Sequence, residues 1–132
     1  MTRDAITLQY LAPDITDSVC SKAITKQSVT QANGIEIKNA LAGKDNSCRV
    51  YIENTGSASE AYIKAGEKQN ACMGDHTLTL AASAITAFDI VRDNARFERK
   101  DGSIYIDFAS GFTGNIWADA VVAGLHGDLS ST

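Results

Sequence analysis

From Gly34 onward the chain alternates apolar and polar residues in short runs, each closed by turn-forming residues. "GIEIKNA" puts Ile35 and Ile37 on one side, "CRVYIEN" Val50 and Ile52, and "EAYIKAG" Ala61 and Ile63. "HTLTLAA" does the same with Leu78 and Leu80, and "ITAFDIV" with Phe88 and Ile90. A period of two sends successive side chains to opposite faces of a strand, whereas a helix needs apolar residues at i, i+3, i+4 and i+7. Sustained helical spacing is nearly absent. The pattern predicts an all-β chain: a single-domain antiparallel β-sandwich or jelly-roll-like barrel.

The residues between the runs fit that expectation. "ENTGSAS" supplies Asn54 and Gly56, which tolerate positive φ, and "KDGS" puts Asp101 and Gly102 where a tight reversal needs them. "ASGFTGN", with Gly111 and Gly114, reads as the loop of a hairpin joining "SIYIDF" to "NIWADAVV". Before Gly34 the alternation weakens. Residues 1–33 read as an N-terminal arm or irregular segment packed on the domain, 34–123 as the sandwich, and 124–132 as a flexible tail. "DITDSVCSKAITKQ" allows a short helix capped by Asp14 or an extended arm.

At 132 residues with 44% hydrophobic and 21% charged content, the chain has the makings of one packed core without metal or disulfide support. Its net charge of −4 argues against binding nucleic acid, which needs a clustered lysine and arginine footprint. Cys20, Cys48 and Cys72 form no CxxC and lie near no histidine at ligand spacing, so they read as reduced thiols. "MTRDAITLQY" has no apolar signal region, and no run reaches the ~18 apolar residues of a membrane helix. Synthesis and folding in a cytoplasm, with no membrane partner, are the expectation.

Catalysis needs a nucleophile, a base and an orienting group, or a metal cluster. His76 shares a strand face with Leu78 and Leu80, and His126 lies in the glycine-rich tail. Asp107 and Asp119 sit on adjacent expected strands and would be the one carboxylate pair to consider, although solvated outward carboxylates explain them more simply. Asp45, Asn46 and Asn54 fit turn chemistry better than a calcium loop. Nucleotide-binding glycine motifs and a G-x-S-x-G elbow are missing. The reading is a non-enzyme without cofactor or metal.

Sorting each strand by alternation gives the more specific signal. In "SIYIDF" the apolar side holds Ile104, Ile106 and Phe108, and the other Ser103, Tyr105 and Asp107. In "NIWADAVV" Trp117 falls with Asn115 and Asp119, opposite Ile116, Ala118 and Ala120. Tyr51 sorts with Arg49 and Glu53, and Tyr62 with Glu60 and Lys64. Outward aromatics are explained either by cross-strand pairing, Tyr105 beside Trp117 above all, worth about 0.2–1 kcal/mol per pair, or by a partner surface. Trp117, Tyr105, Tyr62 and Tyr51 are therefore the candidate interaction residues. Ile6 and Leu8 join them: "AITLQ" alternates and would suit either a strand added to a partner's sheet edge or one paired within its own domain.

"GDHTLTLAASAITAFDIVRDNARFERKDGSIYIDF" followed by "GFTGNIWADAVV" resembles small structural proteins of tailed bacteriophages and prophages, the head decoration or capsid-associated proteins. The resemblance spans about Gly34 to Ala123 and is one of pattern. It implies a β-sandwich on the outside of an icosahedral head, binding the major capsid protein and itself, a trimer being favoured, and strengthening the shell. The virion, assembled in a bacterial cytoplasm, is the implied location. Arg96, Phe97, Asp101, Gly102 and Ile104 to Phe108 would then be structural. The alternative is a tail-associated or carbohydrate-binding β-module, with Trp117, Tyr105 and Tyr62 as a stacking platform and Asp107 and Asn115 supplying hydrogen bonds.

Overall fold

The alternating side chains meet between two sheets. The computed structural model describes residues 3–14, 19–21, 23–38, 48–67, 69–90, 96–100 and 102–121. One sheet has the spatial order β1 (Asp4–Thr7), β5 (Ile35–Lys38), β10 (Ile104–Phe108), β7 (Ser59–Ile63), β8 (His76–Leu80). The other runs β3 (Val19–Ser21), β2 (Gln9–Asp14), β11 (Gly114–Val121), β6 (Cys48–Asn54), β9 (Ile85–Ile90), and the two-residue β4 (Gln27–Ser28) also pairs with β11.

Within these sheets lies a complete jelly roll. β5-β10-β7-β8 faces β4-β11-β6-β9, and every neighbouring pair in both rows is antiparallel. The chain changes sheet at each step from β4 to β11 except between β7 and β8, the connectivity of two Greek keys. Ile35, Ile37, Val50, Ile52, Ala61, Ile63, Leu80, Ile104, Ile106, Phe108, Ile116 and Ala118 fill the space between the sheets, as their alternation requires. β-Branched isoleucine suits this role, being stiff at χ1 and shaped for a pleated surface.

Two expectations are corrected. β10 and β11 do not form a hairpin; they belong to opposite sheets, and Ala109 to Thr113 arches between them. The arch begins with a turn, the Phe112 amide donating to the Ala109 carbonyl at 3.1 Å with Gly111 at φ +86°. Phe112 then turns inward, its ring stacked on Phe108 at 4.5 Å. A large apolar residue seated in the core draws the loop across the ~10 Å between layers instead of letting it fold back.

The second correction concerns the N-terminal segment, which is no arm. β1 pairs parallel to β5 and β2 parallel to β11, with Leu8 at the crossing between sheets. β4 covers β11 only at Asn115 and Ile116, and β2 takes the edge left open at Asp119 to Val121. Ile6 and Leu8 are each 8% exposed, inside their own core, so neither is offered to a partner. Asp14 ends a strand that pairs antiparallel with β3, so the described residues on both sides of 15–18 are extended, while 15–18, where a helix capped by Asp14 would begin, lie outside the described residues. Residues 124–132 lie outside the described residues.

Asn54 and Thr55 tie three arches together at one end of the sandwich. The buried Asn54 carboxamide donates to the carbonyls of Ser57 at 2.9 Å and Ala81 at 3.2 Å and accepts from the Gly56 amide at 3.0 Å. Thr55 adds the third arch, its amide donating to the Thr113 carbonyl at 3.0 Å. Asn54 thus serves as a structural clamp. The reversal at "KDGS" is as expected: the Gly102 amide donates to the Arg99 carbonyl at 2.9 Å with φ +81°.

Candidate functional site

β6 and β11 lie side by side with Tyr51 directly opposite Trp117, both on the outer side of the sheet. Their rings stack at 5.4 Å between centroids with 13° between planes. Lys26, in the segment leading into β4, places its ammonium 5.3 Å from the Trp117 ring centre and 3.1 Å from Glu53 Oε1. Asn115 donates to the same Glu53 oxygen at 3.0 Å. These donors, Asn115 first and then Lys26, hold the Glu53 carboxyl below its ordinary pKa.

At the other end of the stack Arg49 donates to Asp89 Oδ1 at 2.9 Å, and Asp89, then the Tyr51 hydroxyl, fix it more firmly in its charged form. Asp119, across the strand from Arg49, has a raised pKa: desolvation outweighs the opposing effects of Tyr51 and Arg49. Beside Tyr51 the outer side of β9 carries Ala87 and Ile85, the latter 55% exposed. The result is a strip running from Trp117 through Tyr51 to Ile85, bordered by Lys26 with Glu53 and by Arg49 with Asp89. An apolar centre with a charged rim is the usual make-up of a protein contact surface. Along the opposite flank of Trp117 runs a groove of about 330 Å³ lined by Ile6, Thr7, Gln9, Thr25, Gln27 and Ile116 among others.

The candidate aromatics do not form one site. Tyr51 and Trp117 share one outer face; Tyr105 and Tyr62 are on the outer face of the other sheet. Tyr105 therefore cannot be the neighbour of Trp117, and a stacking platform of Trp117, Tyr105 and Tyr62 cannot assemble. Tyr105 lies against two guanidiniums instead, with Arg3 at 4.4 Å and Arg99 at 4.0 Å from its ring centre. The Tyr62 hydroxyl donates to Glu60 at 3.3 Å, and burial followed by that carboxylate pushes its pKa up. Asp107 and Asp119 are likewise in opposite sheets and make no pair; Asp107 is bound by Arg3.

His76 is exposed at the start of β8, Cys72 is a free exposed thiol, and His126, Asp45 and Asn46 lie outside the described residues. Among the described residues no three histidine, cysteine or acidic side chains converge as a metal site requires, and no helix is long and apolar enough to cross a membrane. Lys26 and Arg3 carried no local signal in the sequence, since their partners lie far along the chain. Ile85 did carry one, alternating with Ala87 and Asp89 onto the polar side of its strand.

Fold and surface together define a jelly-roll β-sandwich with an aromatic strip on one outer face. Compared with known protein families, with curated proteins and with solved structures, the chain finds no match.

Proposed function

We propose that the chain is a virion structural protein of a tailed bacteriophage or prophage, a capsid decoration protein that binds the major capsid protein on the outside of the head and stabilises the shell. It works by binding and self-association, with a trimer as the favoured state, and not by catalysis. Its place is the virion, assembled in the bacterial cytoplasm. The observation that carries the reading is the Trp117–Tyr51–Ile85 strip on the outer face of a two-layered scaffold, with the two stacked rings half-buried and Ile85 55% exposed. The sequence resemblance over the C-terminal strands supports the choice of partner, because the fold itself hosts many functions.

The test mixes the purified protein with expanded phage heads and measures co-sedimentation, with light scattering on the free protein. Binding that is weakened by Trp117→Ala while the thermal midpoint changes little is the expected result. A protein that stays monomeric and fails to sediment with intact mature heads overturns the reading; sedimentation with tails alone moves it to the tail.

A further inference from the structure

On the sheet opposite the aromatic strip, a polar groove of about 450 Å³ lies between the 31–33 turn and the outer faces of β7 and β10. Arg3, Gln31, Asn33, Tyr62 and Asp107 line it. We propose that this groove binds a neutral saccharide.

The groove exists because Gly34 lets the turn approach the sheet. Gly34 has φ +72°, and a Cβ there would stand 2.6 Å from Asp107 Oδ1 and 2.5 Å from Arg3 Nη1. The positive φ is the main reason for glycine here, and a side chain would in addition push the ends of Arg3 and Asp107 out of their places in the groove.

Charge selects the ligand class. Arg3 and Asp107 neutralise each other, and Arg3 also donates to the Ile106 carbonyl at 3.3 Å. Lys64 is committed to Asp75 at 2.7 Å and stands 4.0 Å from Asp107 Oδ2. A phosphate in the groove would meet the Asp107 carboxylate, and a cation would meet Arg3. A neutral ring bearing hydroxyls meets no such penalty.

The polar groups are set in advance. Gln31 Nε2 donates to the Phe108 carbonyl at 3.2 Å, which orients its amide and leaves Oε1 as an acceptor. Asn33 Nδ2 donates to the Asp4 carboxylate at 3.2 Å, leaving Oδ1 as an acceptor. Two fixed amides, one carboxylate and the half-buried Tyr62 ring offer hydroxyl acceptors beside an apolar surface for a sugar's C–H face. Fixing the amides beforehand reduces the ordering cost of binding.

The experiment titrates the isotope-labelled protein with maltotriose, cellotriose, mannotriose and chitotriose at millimolar concentration, with inorganic phosphate as the anionic comparison. Expected are shifts at the amides of Arg3, Gln31, Asn33 and Tyr62 with at least one trisaccharide, and smaller ones with phosphate. Tyr62→Ala and Asn33→Ala should each weaken binding about tenfold, Tyr62→Phe should retain it, and Trp117→Ala should leave it unchanged. No shift with any sugar, shifts centred on Trp117, or a larger response to phosphate each overturns the proposal. Because Trp117 lies on the other face, failure here is separable from failure of head binding.

Discussion

Gln9 grips the backbone of Thr25 with both ends of its carboxamide: Nε2 donates to the Thr25 carbonyl at 2.7 Å, and the Thr25 amide donates to Oε1 at 2.8 Å. The side chain thereby imitates a strand. It bridges β2 and the segment entering β4, the two short partners that share the edge of β11. Gln9→Ala should cost about 1 kcal/mol, because both bonds are exposed to water. Amide hydrogen exchange is the direct check: Thr25 should lose protection while the β6–β11 ladder keeps it.

Asn54→Ala should be more damaging. The side chain is 2% exposed and bonds, partly shielded from water, to backbone groups of two arches, which would lose these partners. A loss of about 3 kcal/mol is expected, read as a lower urea midpoint at unchanged slope.

Gly114 and Gly74 separate two reasons for glycine. At Gly114 a Cβ would lie 1.9 Å from the Glu53 carbonyl oxygen, backbone that cannot move without opening the β6–β11 ladder. At Gly74 nothing lies within 4 Å, and only φ +81° resists substitution. Gly114→Ala should cost at least about 3 kcal/mol and Gly74→Ala about 1–2 kcal/mol. Equal losses in thermal unfolding would contradict the account.

Asp75 and Asp119 should respond to pH with opposite signs. Lys64 and the Ala65 amide depress the Asp75 pKa, so its contribution is present above the ordinary aspartate value of 3.8 and lost as pH falls through the lowered one. Desolvation raises the Asp119 pKa, so its contribution is full below 3.8 and lost as pH rises through the raised value. At neutral pH Asp75→Asn should therefore destabilise and Asp119→Asn stabilise, and both differences should shrink on acidification. Urea midpoints across a pH series decide it.

The sequence revealed which way side chains face far better than which strands are neighbours. Ile104, Ile106 and Phe108 are buried, and Tyr51, Tyr62, Tyr105 and Trp117 are on outer faces, because alternation is a local property of the backbone. Sheet membership is not local. The loop from Ala109 to Thr113 has the glycine of a hairpin and makes an arch, and only Phe112, a large apolar residue in a turn, hinted at it. Taking that loop for a hairpin placed Tyr105 beside Trp117, when Tyr51 was the true neighbour. The saccharide groove was legible only as Tyr62 and Asp107, since Arg3 meets Asp107 across 104 positions.

That separation has a consequence in time. Ribosomes add about 5–20 residues per second, so Arg3 waits about 5–20 seconds for Asp107 to be made. β2 waits longer, since the edge it joins on β11 is made later still. Ile6 can pair with β5 early, but the core it and Leu8 share with Ile116 and Ala118 closes only once β11 is made, and until then the nascent chain is open to misassociation.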